Sequence, residues 1–345
     1  MAYHAMGKEK KMRISKKICL IAAFVMLLTC TTACKNNTKT NDNKDSVTLM
    51  LDWSPNTNHT GFYVALEKGY FDEAGIDLTI VECSEAGAEA AVADGSVQFG
   101  ISFQDYLVPA FSAEDSEKLP VTAIAAIIQH NTSGIISAKE SGITSPKYMA
   151  GHSYATWEMP IEQAIIKKVV TNDGGNYDDV ELIAQYVENI IGALTSGIDS
   201  VWIYYAWDGI ACEQADFDFN FFYFADYADE LDDYSPIIIA NNDFLDKNPD
   251  VAKRFMSAVS KGYNYAIENP EEAARILVAA NEGIDLELAI ESQKWLAGKY
   301  KDDASKWGII DAARWDAFYK WVYENGLCEY EIPAGFGFSN NYLPE

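Results

Sequence analysis

The chain has 345 residues and a formal net charge of −26, from 52 Asp and Glu against 26 Lys and Arg. Such an excess of carboxylates repels phosphate backbones, and no long basic run follows residue 34, which excludes a nucleic-acid partner. Six cysteines, none in C-x-x-C spacing, give neither a zinc site nor a disulfide scaffold, and the length leaves room for two α/β lobes.

Residues 1–33 read as a secretory leader. Lys8, Lys10, Lys11, Arg13, Lys16 and Lys17 precede an apolar run over 18–28, and small residues follow up to Ala33. The apolar core is short for a bilayer span. Cys34 directly after Thr31-Thr32-Ala33 resembles the lipobox of bacterial lipoproteins, although Thr31 stands where a large aliphatic residue is usual. Acylation of Cys34 is therefore expected, with cleavage without lipid as the alternative, and residues 34–45 form a polar tether. The protein would be extracytoplasmic and lipid-anchored to the cell membrane. Without the leader, 20 Lys and Arg face 51 Asp and Glu. Cys83, Cys212 and Cys328 read as small core residues.

Residues 47–51 read as a buried strand and residues 62–68 as a helix stopped by Gly69. Between them lie Asp52, Trp53, Asn56, Asn58 and His59, on a loop that Pro55 stiffens. Polar and aromatic groups crowded at a strand's C-terminal end are what a small-molecule site in an α/β protein looks like. A strand over 76–81 follows, then a small-residue helix over 86–93 broken by Asp94-Gly95, and a strand over 97–101 leading to Phe103 and Gln104. With a further strand over 121–128, this βαβα alternation implies a mostly parallel sheet with helices on both faces.

A second lobe begins after Gln129-His130. Trp157-Glu158-Met159-Pro160 leads into a helix over 161–170. Residues 193–205 repeat the pattern of 91–103 when aligned on Gly197 and Gly95: helix, glycine stop, strand, then an aromatic, which gives Phe103 and Tyr205 equivalent positions. Tyr204, Trp207 and Asp208 share that strand end. Residues 217–234, rich in aromatics and acids, read as a packed connector with a solvated acidic face rather than a cleft wall. A buried strand over 236–242 precedes a C-terminal part that reads as helical from Asn248 onward, with Trp295, Trp307, Trp315 and Trp321 as core.

There is no G-x-S-x-G, no P-loop and no H-E-x-x-H, and His59, His130 and His152 fall on different loops, so no catalytic residue, metal ligand or cofactor is expected. What accumulates at strand ends is Asp52, Trp53, His59, Phe103, Gln104, Trp157, Glu158, Tyr204, Tyr205, Trp207 and Asp208. Flat side chains stack on flat ligands, and carboxylates accept hydrogen bonds from ring amines. After the leader, arginine occurs only as Arg254, Arg275 and Arg314. A guanidinium fork for a sulfonate or phosphate is therefore not expected in the cleft, and a neutral or cationic nitrogen-bearing ring is.

Leu51-Asp52-Trp53-x-Pro55-Asn56-x-x-His59-x-Gly61, with Lys68-Gly69-Tyr70-Phe71 and Gly75-Ile76 beyond it, resembles the opening of the solute-binding proteins of bacterial ABC importers that capture pyrimidine precursors of thiamine. Trp157-Glu158-Met159-Pro160, Trp202-Ile203-Tyr204-Tyr205-Ala206-Trp207-Asp208-Gly209 and Asn241-Asn242-Asp243-Phe244 extend the likeness over essentially all of the chain after residue 46. The resemblance implies a type II periplasmic-binding-protein fold, with residues 46–132 plus 236–345 as one lobe and 133–235 as the other, closing like a hinge. It further implies that Asp52 and Trp53 hydrogen-bond to and stack on a pyrimidine, while Trp157-Glu158 and Tyr204-Tyr205 approach from the other lobe. Glu158 departs from the glycine common in similar proteins. The partners implied are an aminopyrimidine-type ligand, an ABC permease and its ATPase, and the membrane through the anchor, for a monomer without enzymatic activity. A sulfonate, riboflavin or another nitrogenous base is the alternative ligand. The fold also resembles a fungal enzyme that builds the thiamine pyrimidine from its own histidine. His59 matches that histidine, but the enzyme's cysteine cluster is replaced by Tyr234-Ser235-Pro236-Ile237-Ile238-Ile239.

Overall fold

The computed structural model describes residues 44–84 and 86–345. The leader, Cys34 and nearly all of the tether lie outside the described residues.

Among the described residues, ten strands divide equally between two sheets. The first contains β1 (Asp45–Met50), β2 (Ile76–Val81), β3 (Phe99–Ser102), β4 (Val121–Ala126) and β10 (Ile237–Asn241), in the order β2-β1-β3-β10-β4. The second contains β5 (Ser133–Ala138), β6 (Ser153–Thr156), β7 (Glu181–Ala184), β8 (Ser200–Tyr204) and β9 (Phe219–Tyr223), in the order β7-β6-β8-β5-β9. Four strands of each sheet run in one direction, and the antiparallel strand, β10 or β5, enters between the third and the fourth of them. The repeated glycine pattern thus falls on β3 and β8, which hold the same place in the two sheets. Two polypeptide crossings, after β4 and before β10, connect them. The result is a two-lobe α/β fold.

Alternation along each strand shares its side chains between two helical layers. In the first lobe Val47, Leu49, Phe99 and Ile101 pack on Phe255, Val259 and Tyr263 of helix Pro249–Glu268. Phe99 stacks flat on Phe255, with centroids 3.9 Å apart at 6°. Met50, Ile237 and Ile239 face the other way, toward Val92 and toward Trp315 and Phe318 of helix Ala312–Glu324. In the second lobe Trp202 and Tyr154 pack toward Ile166 and Val169 of helix Pro160–Asn172. Val201 and Ile203 face Leu194 and Cys212 instead.

Three expectations need correction. Residues 217–234 are not merely a connector: they supply β9, an edge strand paired antiparallel with β5, whose Phe222 is buried. The chain is not helical to its end. After helix Ala312–Glu324, residues 325–345 contain no helix, and Phe338 bridges to Ala123 beside β4. Trp307, Trp315 and Trp321 are core, but Trp295 is only half-buried.

Candidate ligand-binding site

In parallel sheets the C-terminal strand ends open toward loops with free backbone donors and acceptors, where ligands gather. Here the loops after β1 and β3 face those after β7 and β8 of the other sheet. Two aromatic pairs span the gap: Trp53 with Tyr186, at 6.3 Å and 44°, and Phe103 with Tyr204, at 5.9 Å and 25°. Trp53 is 56% exposed and Tyr186 61%, a large apolar area left open on a protein of this size.

Asp52 follows β1 and is almost fully buried, its Oδ1 only 2.6 Å from His59 Nε2. The His59 Nδ1 accepts from the Asn56 backbone N–H at 3.2 Å, so the ring proton sits on Nε2 and is donated to Asp52. His59 itself is fully buried. It therefore stands behind the Asp52 carboxylate, which it aims, rather than open in the cleft as the sequence suggested. Among the described residues Asp52 Oδ2 has no hydrogen-bond partner, which leaves it for a donor in the cleft.

Gln104 is likewise a correction. It is fully buried, its Nε2 donating to the Trp315 carbonyl at 2.8 Å and its Oε1 accepting from the Tyr234 N–H at 3.0 Å. The amide is consumed in tying the crossing at Tyr234 to helix Ala312–Glu324. The next two residues do reach the gap. Asp105 is partly buried, and Tyr106, exposed, packs edge-on against Phe103 at 5.1 Å.

On the second lobe, Trp157 packs against Trp202 at 5.3 Å. The loop 156–159 is fixed by one buried carboxylate: Glu162 accepts from Tyr154 Oη at 2.6 Å, Thr156 Oγ1 at 2.9 Å and the Trp157 N–H at 3.1 Å. This presents Glu158 to solvent with φ of +62°, the left-handed conformation that glycine adopts freely. A glycine at this position would meet the same backbone requirement without strain. With the sheets aligned on Gly95 and Gly197, Leu49 pairs with Phe99 as Ala155 pairs with Val201, so Asp52 and Glu158 occupy corresponding positions in the two lobes.

After β8 the chain makes one π-helical turn, Tyr205–Gly209, a distortion frequent at functional sites. It carries Trp207 and Asp208, both partly buried. Tyr205 is the third correction. Its ring packs on Phe221 at 4.9 Å and on Trp295 at 5.4 Å, and its hydroxyl donates to Glu213 at 2.5 Å, so it is occupied by protein.

Carboxylates dominate the electrostatics. Burial pushes Asp105 up to about 7, with Glu89 adding repulsion, and burial lifts Asp208 to about 6. Asp233, on the crossing before β10 and bonded to Asn131 Nδ2 at 2.8 Å, lies well above the usual carboxylate range through burial and the nearby Asp105. Burial with Asp105, Glu89 and Asp52 close by raises Tyr106 to about 12. No lysine or arginine is among these influences. Arg314 is spent elsewhere, donating to the Gln129 carbonyl, Asp232 and Tyr234 Oη at the crossings.

A raised carboxylate binds its proton more tightly folded than unfolded, so its stabilisation is present below the unfolded pKa and lost as pH rises through the folded one. Ligand-free protein is thus expected to lose stability between about pH 4 and pH 7, and Asp105→Asn to flatten that slope. Calorimetric melting across this range checks it; a slope unchanged by the substitution refutes the role of Asp105.

A sequence model of the NMT1/THI5-like family matches residues 56–273. The chain belongs to the NMT1/THI5-like family. Within it, the formylaminopyrimidine-binding protein of Halalkalibacterium halodurans is 28% identical over 342 residues, covering 95% of this chain and 99% of that one. A 4-amino-5-hydroxymethyl-2-methylpyrimidine phosphate synthase of Saccharomyces cerevisiae is 23% identical over 254 residues, 66% of this chain and 69% of the relative. Among solved structures, the periplasmic aliphatic sulphonate binding protein SsuA from Escherichia coli superposes with a TM-score of 0.64 at 14% identity, covering 84% of this chain and 95% of that one. The family thus includes proteins named as binding proteins and proteins named as synthases.

Glu89, Asp105, Tyr106, Tyr186 and Asp233 were not among the residues expected from the sequence. Asp105 and Tyr106 directly follow the expected Phe103 and Gln104, and that adjacency was the available signal; they begin a short 3-10 turn after β3 ends at Ser102. Tyr186 stands beyond β7, a four-residue strand whose Glu181, Leu182 and Ala184 are all exposed, so no buried run or alternation marks it.

Proposed function

We propose that the protein is the solute-binding component of an ABC importer, that it captures an aminopyrimidine precursor of thiamine, and that it acts as a binder rather than an enzyme. One observation carries this reading: aromatic rings and buried carboxylates, without a lysine or arginine beside them, face one another from two lobes. Uncompensated carboxylates are costly unless a ligand supplies N–H donors or positive charge, and they repel a sulfonate. A ring bearing an amino group meets both demands, stacking on Trp53 and Tyr186 while donating to Asp52. The family's formylaminopyrimidine-binding member supports the ligand class. His59 speaks against the synthase reading, because both its nitrogens are engaged and the ring is buried.

Titration calorimetry decides it. Formylaminopyrimidine or hydroxymethylpyrimidine is expected to bind and an alkanesulfonate not to; binding of the sulfonate alone would overturn the assignment. Trp53→Ala is expected to weaken pyrimidine binding by about 1 kcal/mol or more, the scale of an aromatic contact. Delivery to a permease from a lipid anchor at Cys34 belongs to the same proposal and rests on the leader. Cys34→Ser is expected to shift the protein from the membrane fraction to the medium, and continued membrane retention would count against the anchor.

A further inference from the structure

Helix Leu286–Ala297 belongs to the first lobe, yet it packs directly against the π-turn Tyr205–Gly209 and helix Ile210–Gln214 of the second. Two side chains one turn apart on this helix reach in different directions. Ser292 is buried and its Oγ lies 2.6 Å from Thr57 Oγ1, in the loop that presents Asp52. Trp295 is half-buried and its ring meets Tyr205 at 5.4 Å and 30°. Tyr205 is held from behind by Phe221 and Glu213, so it offers a fixed surface. The helix therefore joins the loop carrying Asp52 to the turn carrying Asp208. Trp53 and Tyr186 also meet across the lobes, but they flank the ligand loops and belong to the site already described.

We infer that Trp295 and Tyr205 form a latch that holds the lobes together, which makes Trp295 a positioning residue for ligand retention without touching the ligand. The inference rests on the binding-protein reading above. Its physics is a population shift: a contact that exists only with the lobes closed favours that state by its own free energy, and ligand escape slows accordingly. An aromatic pair is worth roughly a threefold to tenfold change in such an equilibrium. Encounter with the open form does not use the contact, so the effect falls on dissociation.

The test compares full-length wild type, Trp295→Ala and Trp295→Phe. Stopped-flow kinetics with formylaminopyrimidine are expected to show dissociation about fivefold faster in Trp295→Ala, with association unchanged, and near-complete recovery in Trp295→Phe. Small-angle X-ray scattering without ligand is expected to show a larger radius of gyration for Trp295→Ala alone. Unchanged dissociation and scattering would overturn the latch. So would faster dissociation shared by both variants together with a lowered melting temperature, which marks a packing defect. Because the scattering arm contains no ligand, it still reports on the latch if the pyrimidine assignment fails.

Discussion

Asp52→Asn is expected to weaken aminopyrimidine binding roughly 10- to 150-fold, the loss of one charged hydrogen bond of about 1.5–3 kcal/mol, and to leave the fold intact. The substitution separates the two jobs of this side chain. Its Oδ1 accepts from His59 Nε2 at 2.6 Å, and an asparagine oxygen can accept the same bond. Its Oδ2 becomes an NH2 group, so that a ligand amino group meets a donor instead of an acceptor. The melting temperature should therefore hold while affinity falls. His59→Ala differs: it leaves the carboxylate buried without its donor, and both quantities should drop. Calorimetry with melting curves on the two variants reads the difference. An Asp52→Asn protein that binds as tightly as wild type would remove Asp52 from the site.

The regions legible in the sequence were those where one physical demand dominates. Helix Pro249–Glu268 shows its buried Phe255, Val259, Tyr263 and Ala266 at helical spacing, and the inner half of β1 carries the buried Val47, Leu49 and Met50 up to the turn at Asp52. Strand β5 was not legible. All six of its residues are buried, so Ser133-Gly134-Ile135-Ile136-Ser137-Ala138 shows no alternation for a reader to follow. Candidate site residues failed differently. A histidine or glutamine at a strand end can turn toward a ligand or toward the scaffold, and composition is the same in either case. His59 and Gln104 turned inward because backbone groups at Asn56, Tyr234 and Trp315 needed partners. Trp295 shows the converse. Its helical spacing suits a core position, but the surface it packs against belongs to the other lobe, and only tertiary structure reveals that.

The largest effect on stability is expected at a position remote from ligand chemistry, Gly262. Helix Thr60–Glu67 crosses helix Pro249–Glu268 at Gly61 and Gly262, and the contact is backbone on backbone. A Cβ at Gly262 would lie 2.0 Å from the Gly61 carbonyl oxygen and 3.0 Å from the Ala65 Cβ. No rotamer relieves that overlap, so the helices must separate. Separation loosens what Tyr263 holds: its ring stacks on Trp307 at 4.3 Å and 11°, and its hydroxyl donates to the Asn58 carbonyl at 2.7 Å. Overpacking in a core usually costs about 1–3 kcal/mol, and a backbone clash places Gly262→Ala at or above the upper end. A fall in melting temperature of roughly 5 °C or more follows for a domain of this size. Gly298→Ala is the control: its Cβ would meet nothing within 4 Å, and its φ of −79° suits any residue, so the melting temperature should hold or rise slightly. Because Asn58 lies between Asp52 and the helix crossing, Gly262→Ala should also weaken pyrimidine binding, whereas Gly298→Ala should not. Equal melting temperatures for the two variants would mean that the helices yield without cost and that the Gly61–Gly262 crossing does not anchor the loop.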